Sequence, residues 1–322
     1  MTVSKCYRAS CVVALEISAT LFVLVGCPLN ASVTCIVLNW NGWRDTIACL
    51  ESLQRVDYPN LSILVVDNGS TDNSVEMIRK SFEGVEILET RANLGFAAGN
   101  NVGIRLALIR QAEFVWLLNN DTVVEPGTLE ALVICAEADP KIGAVGSVLR
   151  YWHAPEKIQA WGGGIINLWT GQSNHLEEPG EPESLSYLTA ASLLLRSSVL
   201  REVGILDEGY FMYWEDADMS YRIRAAGYKL TVASDAFLLH KENASTGRKS
   251  PRMDRYISAS GIRFLRKFAY FPPLPIFILI FGRALKRFAA REWPRGLAVL
   301  AGMAGPGHVR FRGAKSNLSH ST

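Results

Sequence analysis

Apolar residues run through the first half of the chain in two alternating rhythms. Short unbroken runs at 33–38, 61–66, 85–88 and 114–118 are rich in β-branched residues and bounded by polar ones, the pattern of strands covered on both faces. Between them the spacing widens to the helical period. Ile47, Leu50 and Leu53 share one face of a helix over 46–55; Val75, Ile78 and Phe82 mark a second, behind the capping residues Ser70, Thr71 and Asp72; Leu106 and Ile109 lie on the apolar side of a third over 95–110. A fourth carries Leu129, Leu132, Val133 and Ala136, with Pro126 in its first turn. The alternation predicts an α/β fold with a doubly wound, mostly parallel sheet flanked by helices, because parallel neighbours need crossover connections.

Beyond Ala144 the rhythm loosens. Residues 162–164 and 177–184, rich in Gly, Pro and Glu, read as loop. A strand is expected over 186–195 and a short helix over 197–203 ended by Gly204. A helix over 216–226 turns Met219, Ile223 and Ala226 inward and stops at Gly227, and a strand over 229–239 leads to His240.

Charge divides the chain unequally. The formal net charge of the 322 residues is +2, yet residues 241–322 hold sixteen Lys and Arg against three Asp and Glu, leaving an acidic remainder. Three segments follow: an apolar stretch over 1–31, a sheet domain over 32–240 and a basic helical tail over 241–322. An acidic body suits cations and a basic tail suits anions such as lipid headgroups or a lipid diphosphate. No nucleic-acid-binding motif is present, so no nucleic-acid partner is expected. Six cysteines lack C-x-x-C spacing, with Cys35 and Cys135 inside apolar runs, which predicts a reduced protein without a zinc site. The apolar stretch 11–29 is broken by Glu16, follows Lys5 and Arg8, and includes a lipoprotein-like Leu24–Cys27; an anchor-like helix or an upstream extension is expected in preference to export. A second apolar run, 271–281, falls short of the ~20 residues that span a bilayer. Arg283, Lys286, Arg287, Arg291 and Arg295 follow it, which fits an interfacial helix or a buried C-terminal one.

Polar residues gather where strands end, and ligands bind at the carboxyl ends of strands in open α/β sheets. The fourth strand ends in Asn119-Asn120-Asp121, a set suited to Mg²⁺ or Mn²⁺ bridging phosphates; His240, at another strand end, is a second candidate ligand and would favour Mn²⁺. Asp67, followed by Asn68, suits the imide N–H of uracil or thymine, and equally suits turn chemistry. Asn93, Gly95 and Asn100 belong to a run of small residues and amides that opens a helix and lets a nucleotide lie against backbone. Glu215, Asp216 and Asp218 crowd one helix start, where they complement the helix dipole but also repel one another; a general base for a sugar hydroxyl needs such a carboxylate. The first strand lacks a G-x-G-x-x-G loop, against a dinucleotide fold.

With the run Ile36–Asn41, which includes Asn39, the segments Val66–Asp72, Asn93–Asn101, Leu118–Asp121 and Val203–Arg222 resemble family 2 glycosyltransferases of the GT-A fold, in particular the rhamnosyltransferase-like branch. The resemblance implies an inverting, metal-dependent transfer from a UDP- or dTDP-sugar to a saccharide or polyprenyl-diphosphate-linked acceptor in cell-surface polysaccharide synthesis. It makes Asp67 the base-recognising residue, Asp121 the last Asp of a D-x-D motif whose first position is Asn119, His240 the distal metal ligand and Asp216 the catalytic base. Asn39, Asn68, Asn93, Gly95, Asn100, Asn120 and Asp218 then complete the substrate site, and Glu215 stands beside the base. A body on the cytoplasmic side is expected, where nucleotide sugars are made, and the basic tail with the short run 271–281 suggests peripheral attachment at the inner face of an anionic membrane. A sugar nucleotidyltransferase and a non-catalytic nucleotide-sugar-binding module are the alternatives; the former lacks a glycine-rich basic loop over 39–44, and the latter does not need the carboxylates present.

Overall fold

The computed structural model describes residues 30–241 and 250–305; the apolar stretch 11–29 with its anchor-or-extension question lies outside them. Three strand–helix units and a fourth strand open the described fold: β1 (Val33–Asn39), α1 (Trp43–Leu53), β2 (Leu61–Asp67), α2 (Ser74–Ser81), β3 (Glu86–Glu89), α3 (Phe96–Ile109) and β4 (Phe114–Asn119). Then come β5 (Thr122–Val124), α4 (Thr128–Glu137), β6 (Ile142–Tyr151), β7 (Ala154–Trp161), β8 (Gly163–Asn167), β9 (Gln172–His175), β10 (Tyr187–Leu188), β11 (Ser192–Arg196), α5 (Ser197–Val203), α6 (Glu215–Ala225) and β12 (Lys229–His240). Helices α7 (Pro251–Phe268), α8 (Pro273–Ala289) and α9 (Trp293–Ala301) complete the described fold.

The central sheet has the order β3-β2-β1-β4-β11-β6-β12-β5, with β7 paired to β6. Strands β1 to β4 are parallel neighbours, β11 runs antiparallel between β4 and β6, and β12 is parallel to β6. Only β11 and β5 oppose the common direction along that path. The pleat divides the core as its period requires. Cys35 and Val37 face a layer with Leu50 and Leu53 of α1 and Leu129 and Leu132 of α4, whereas Ile36 faces Ile104 of α3 and Met219 and Ile223 of α6.

Several boundaries differ from expectation for local reasons. The expected strand 186–195 is two, β10 and β11, because Thr189–Ala191 leaves the ladder to line the cleft. Gly163 lies in β8 rather than a loop; its missing side chain admits the Tyr187 carbonyl of the neighbouring strand in the small β10-β8-β9 sheet. Pro126 precedes α4 instead of starting it. Ile109 and Ala226 are exposed, since each stands at the last turn of its helix or just past it, where the helical period continues and the core does not. Cys135 is only half-buried, unlike Cys35.

The basic tail is not a free appendage. Phe264 and Leu265 of α7 and Leu279 of α8 share a core with Tyr187, Tyr210, Trp214 and Ala217. Much of its charge is committed: Arg263 pairs with Asp207, Lys267 with Asp218, and Arg283, Arg287 and Arg295 with buried Asp254. The expectation of a buried helix over 271–281 holds in part: α8 buries Pro275, Leu279, Ile280 and Ala284 while exposing Leu274, Phe277, Phe281 and Leu285. Among the described residues no helix is long and apolar enough to cross a membrane.

Candidate active site

A cleft of about 860 Å³ opens over the carboxyl ends of β1, β2, β4 and β12 and is closed on its far side by α8. Register explains its first polar group. Strand β12 pairs antiparallel with β5 so that His240 lies opposite Thr122, which sets the imidazole beside Asp121. His240 Nε2 is 3.2 Å from Asp121 Oδ1 and 3.5 Å from Asn119 Nδ2. On the other side of the ring, His240 Nδ1 lies 2.8 Å from Oε1 of Gln159 on β7, a residue that sequence reasoning missed. An amide oxygen only accepts, so Nδ1 donates to Gln159, and this contact holds the ring with Nε2 toward Asp121. This donor set fits a divalent cation that keeps other positions for diphosphate oxygens: one carboxylate, one imidazole nitrogen and an adjacent amide. Among the described residues no group of three or more His, Cys, Asp and Glu forms an all-protein cage.

The second group stands at the start of α6. Tyr213 and Trp214 both adopt left-handed φ, 69° and 71°, and turn the chain sharply into the helix. Strain in non-glycine residues of about 1–3 kcal/mol each is characteristic of functional sites. The turn aims Glu215 and Asp216 at the cleft. Asp216 Oδ1 accepts from the Ala217 amide at 2.8 Å and Oδ2 from the Ala190 amide at 3.3 Å. Glu215 lacks comparable donors, and its Oε2 is buried with no partner. Burial, then the neighbouring Asp216 charge, pushes Glu215 well above the ordinary carboxylate range. Burial also raises Asp216, but the two amides and His175 oppose it. The proton of the pair therefore belongs on Glu215 and the charge on Asp216.

The third wall is the loop ahead of α3. Asn68 Nδ2 donates to the Gly95 carbonyl at 3.0 Å, and the Leu94 amide donates to Asn68 Oδ1 at 3.0 Å. Gly95, at φ 86°, packs so tightly on the Phe211 carbonyl that a side chain would collide with it. Asn93 and Asn68 line the cleft here, and Asn120, donating to Thr46 Oγ1 at 3.0 Å, lines it nearby.

The structure thus gathers Asn68, Asn93, Gly95, Asn119, Asn120, Asp121, Glu215, Asp216 and His240 at one cleft. Four other candidates lie behind its surface. Asn39 donates to Asp67 Oδ2 at 2.7 Å and accepts from Thr46. Asp67 also accepts from the Ser70 hydroxyl and amide. Asn100 is 1% exposed and donates to the Phe96 carbonyl within its own helix. Asp218, fully buried, is held by Arg222 and Lys267, each at 2.6 Å, and by Tyr210 at 3.1 Å. Its expected place in the substrate site is corrected: it anchors α6 to α7. His175 and Tyr187 also line the cleft and carried no local signal, and Arg283, Lys286 and Arg287, legible in the sequence as a basic cluster, reach the cleft from a tail far away in sequence.

Residues 34–204, more than half of the chain, match the model of glycosyl transferase family 2. An N-acetylglucosaminyl-diphospho-decaprenol L-rhamnosyltransferase of Mycobacterium tuberculosis is 31% identical over 226 residues, covering 62% of this chain and 72% of that protein. A mannosyltransferase from Pyrobaculum calidifontis, solved with GDP-Man and Mn²⁺, superposes with a TM-score of 0.53 at 19% identity, covering 92% of this chain and 88% of that one. GalNAc-T7, solved with UDP, GalNAc and Mn²⁺, gives a TM-score of 0.56 at 14% identity over 75% of this chain and 52% of that one. The strand-end carboxylate, the amide-lined loop and the acidic turn occupy one cleft of a GT-A sheet, and the chain belongs to glycosyl transferase family 2, as a rhamnosyltransferase-like glycosyltransferase.

Proposed function

We propose that the enzyme transfers rhamnose or a similar sugar, with inversion, from a UDP- or dTDP-sugar to a saccharide carried on a polyprenyl diphosphate, in cell-surface polysaccharide synthesis. The observation that carries this reading is the placement of Asp121 with His240 and of Asp216 in a single cleft. Asp121 and His240, with Asn119 beside them, would hold a Mn²⁺ or Mg²⁺ ion, which supplies charge stabilisation to the departing diphosphate. Asn68, Asn93 and Gly95 border the space for the nucleoside. Asp67 Oδ1 accepts from the Ser70 amide at 2.9 Å, so recognition of a pyrimidine imide requires it to take a second donor. Asn39, Asn100 and Asp218 support these groups from behind.

In the displacement, the acceptor hydroxyl oxygen bonds to the anomeric carbon as the bond from that carbon to the diphosphate oxygen breaks. Asp216 accepts the hydroxyl proton, and the nucleoside diphosphate leaves. Glu215, kept neutral by burial, spares Asp216 a second adjacent charge. The family and the 31% identical rhamnosyltransferase support the substrate class. The exposed apolar face of α8, next to basic side chains, supports peripheral attachment to an anionic cytoplasmic leaflet. The test is transfer of labelled sugar from dTDP-rhamnose and UDP-sugars to a polyprenyl-diphosphate-linked N-acetylglucosamine, with Mn²⁺, Mg²⁺ or excess chelator. Transfer from none of these donors, or full transfer in chelator, refutes the corresponding part.

A further inference from the structure

The far wall of the cleft carries cations that stand outside the Asp121–His240 group. Arg283, Lys286 and Arg287 of α8 line the same cleft as Glu215 and Asp216. Behind them, Asp254 is fully buried and receives Arg283 at 3.0 Å, Arg287 at 3.2 Å and Arg295 at 2.6 Å; Glu292 receives Arg287 at 3.3 Å and Arg295 at 2.9 Å. Lys286 is exposed and has no carboxylate partner among the described residues. Four cations therefore face two carboxylates, a surplus of two positive charges. The crowding shows in Arg283, which burial and the neighbouring Arg287 and Arg295 pull down against the opposing Asp254, and whose Nε has no acceptor.

This wall is on the side of the proposed base. Leu279 of α8 and Trp214, the residue preceding Glu215, both pack over the face of α7 at Gly261. Toward its N-terminal end the same helix exposes Leu274, Phe277 and Phe281, with the two phenyl rings 4.4 Å apart. A cationic patch in the cleft and an exposed apolar stripe on the same helix match a ligand that joins a diphosphate to a hydrocarbon chain.

We propose that Arg283, Lys286 and Arg287 form the subsite for the diphosphate of the polyprenyl-linked acceptor, and that its first isoprene units lie along Leu274, Phe277 and Phe281. The inference rests on the acceptor class proposed above. A diphosphate diester carries a charge of about −2, matching the surplus, and guanidinium groups bind phosphate oxygens in paired hydrogen bonds. Donor and acceptor diphosphates thus meet separate positive charges, one at the Asp121–His240 side and one on α8. Substrate specificity follows: the sugar on a diphosphate is preferred over the same sugar on a neutral aglycone.

The test uses the full-length enzyme, no vesicles, and two soluble acceptors: N-acetylglucosamine on a short-chain isoprenyl diphosphate and the same sugar on a neutral alkyl chain. Lys286→Glu, at an exposed position, should raise KM for the diphosphate acceptor roughly tenfold or more. The donor KM and the KM for the neutral acceptor should stay within about twofold, since neither ligand engages α8 phosphate donors. Arg287→Lys should retain more affinity than Arg287→Gln, and thermal melts report any loss of fold in the latter. A proportional loss on both acceptors, or a rise in donor KM, overturns the subsite. Wild-type enzyme that glycosylates the neutral acceptor as well as the diphosphate one also overturns it while leaving glycosyl transfer intact. Wild-type enzyme that accepts neither refutes the acceptor class itself.

Discussion

Gln159→Leu is the sharpest probe of the proposed metal side. Gln159 is 6% exposed, and its one hydrogen bond to His240 Nδ1, at 2.8 Å, decides which ring nitrogen faces Asp121. Leucine keeps the volume but offers no acceptor. The imidazole can then place its hydrogen on Nε2 and donate to Asp121 Oδ1 across the existing 3.2 Å gap, which closes the position a cation would take. The orienting partner of a metal-bound histidine typically contributes 10–100-fold in affinity, or about 1.4–2.7 kcal/mol. Free and bound Mn²⁺ separated by electron paramagnetic resonance should show that loss in the variant, independent of turnover. Gln159→Glu keeps an acceptor at Nδ1 and should recover most of the affinity. If Gln159→Leu binds Mn²⁺ within twofold of wild type, Gln159 does not set the tautomer, and His240 is either not a ligand or is oriented by something else.

Three further outcomes are expected. Asp216→Asn should reduce transfer by about 10²–10⁴ while calorimetry shows donor affinity within a few-fold, because a base acts on the acceptor proton; wild-type turnover would move the base elsewhere. Glu215, pushed by burial well above the ordinary carboxylate range, binds more protons folded than unfolded between the ordinary value and its raised one, so stability should fall as pH rises through that window by at most about 1.4 kcal/mol per pH unit. Glu215→Gln should flatten that fall in denaturation midpoints measured at pH 5 and pH 8, and an unchanged slope would show that another group is responsible. Phe277→Ser with Phe281→Ser, at sites 57% and 48% exposed, should leave the melting temperature near wild type but weaken flotation with anionic vesicles, whereas equal flotation would exclude this stripe from the membrane contact.

The parts of the site legible in the sequence are those at the ends of strands. A buried strand must surface somewhere, so the polar residues that stop β4 and β12, Asn119 to Asp121 and His240, could be assigned to one sheet edge without knowing the strand order. The helix start at Glu215 was equally visible, but the facing of its members was not. Successive residues turn by about 100° around a helix, so Asp216 and Asp218 differ by about 200°; one meets the cleft and the other meets Lys267 and Arg222. Asp67 and Asn39 were visible as strand-end polar residues, yet their mutual hydrogen bond depends on the in-register pairing of β1 with β2, which apolar runs do not specify. Gln159 and His175 reach the cleft only through long-range packing, and nothing near them in sequence distinguishes them from ordinary surface residues; the α8 cations stand out as a basic cluster, but their place in the cleft wall also depends on long-range packing.

The boundary expected at 240 cuts through a mechanical unit. Left-handed backbone at both Tyr213 and Trp214 persists only if the surroundings hold it, and the holding contacts come largely from the tail. Ser260 on α7 donates to the Met212 carbonyl at 2.8 Å, and the Trp214 ring packs 4.9 Å from that of Phe264. Gly261 keeps α7 close enough for Leu279 and Trp214 to meet over it. On the other flank, Lys267 fixes Asp218 two residues past the proposed base. Helices α7 and α8 therefore set the aim of Asp216 as well as forming the wall on which an acceptor diphosphate would rest. A lipid-borne acceptor seated on α8 would load the same helices that hold the proposed base turn in place, so acceptor binding and base positioning would be coupled through a single packed core. Excising the tail would remove both at once, which is why point changes on the exposed faces of α8, rather than truncation, separate membrane contact from catalysis.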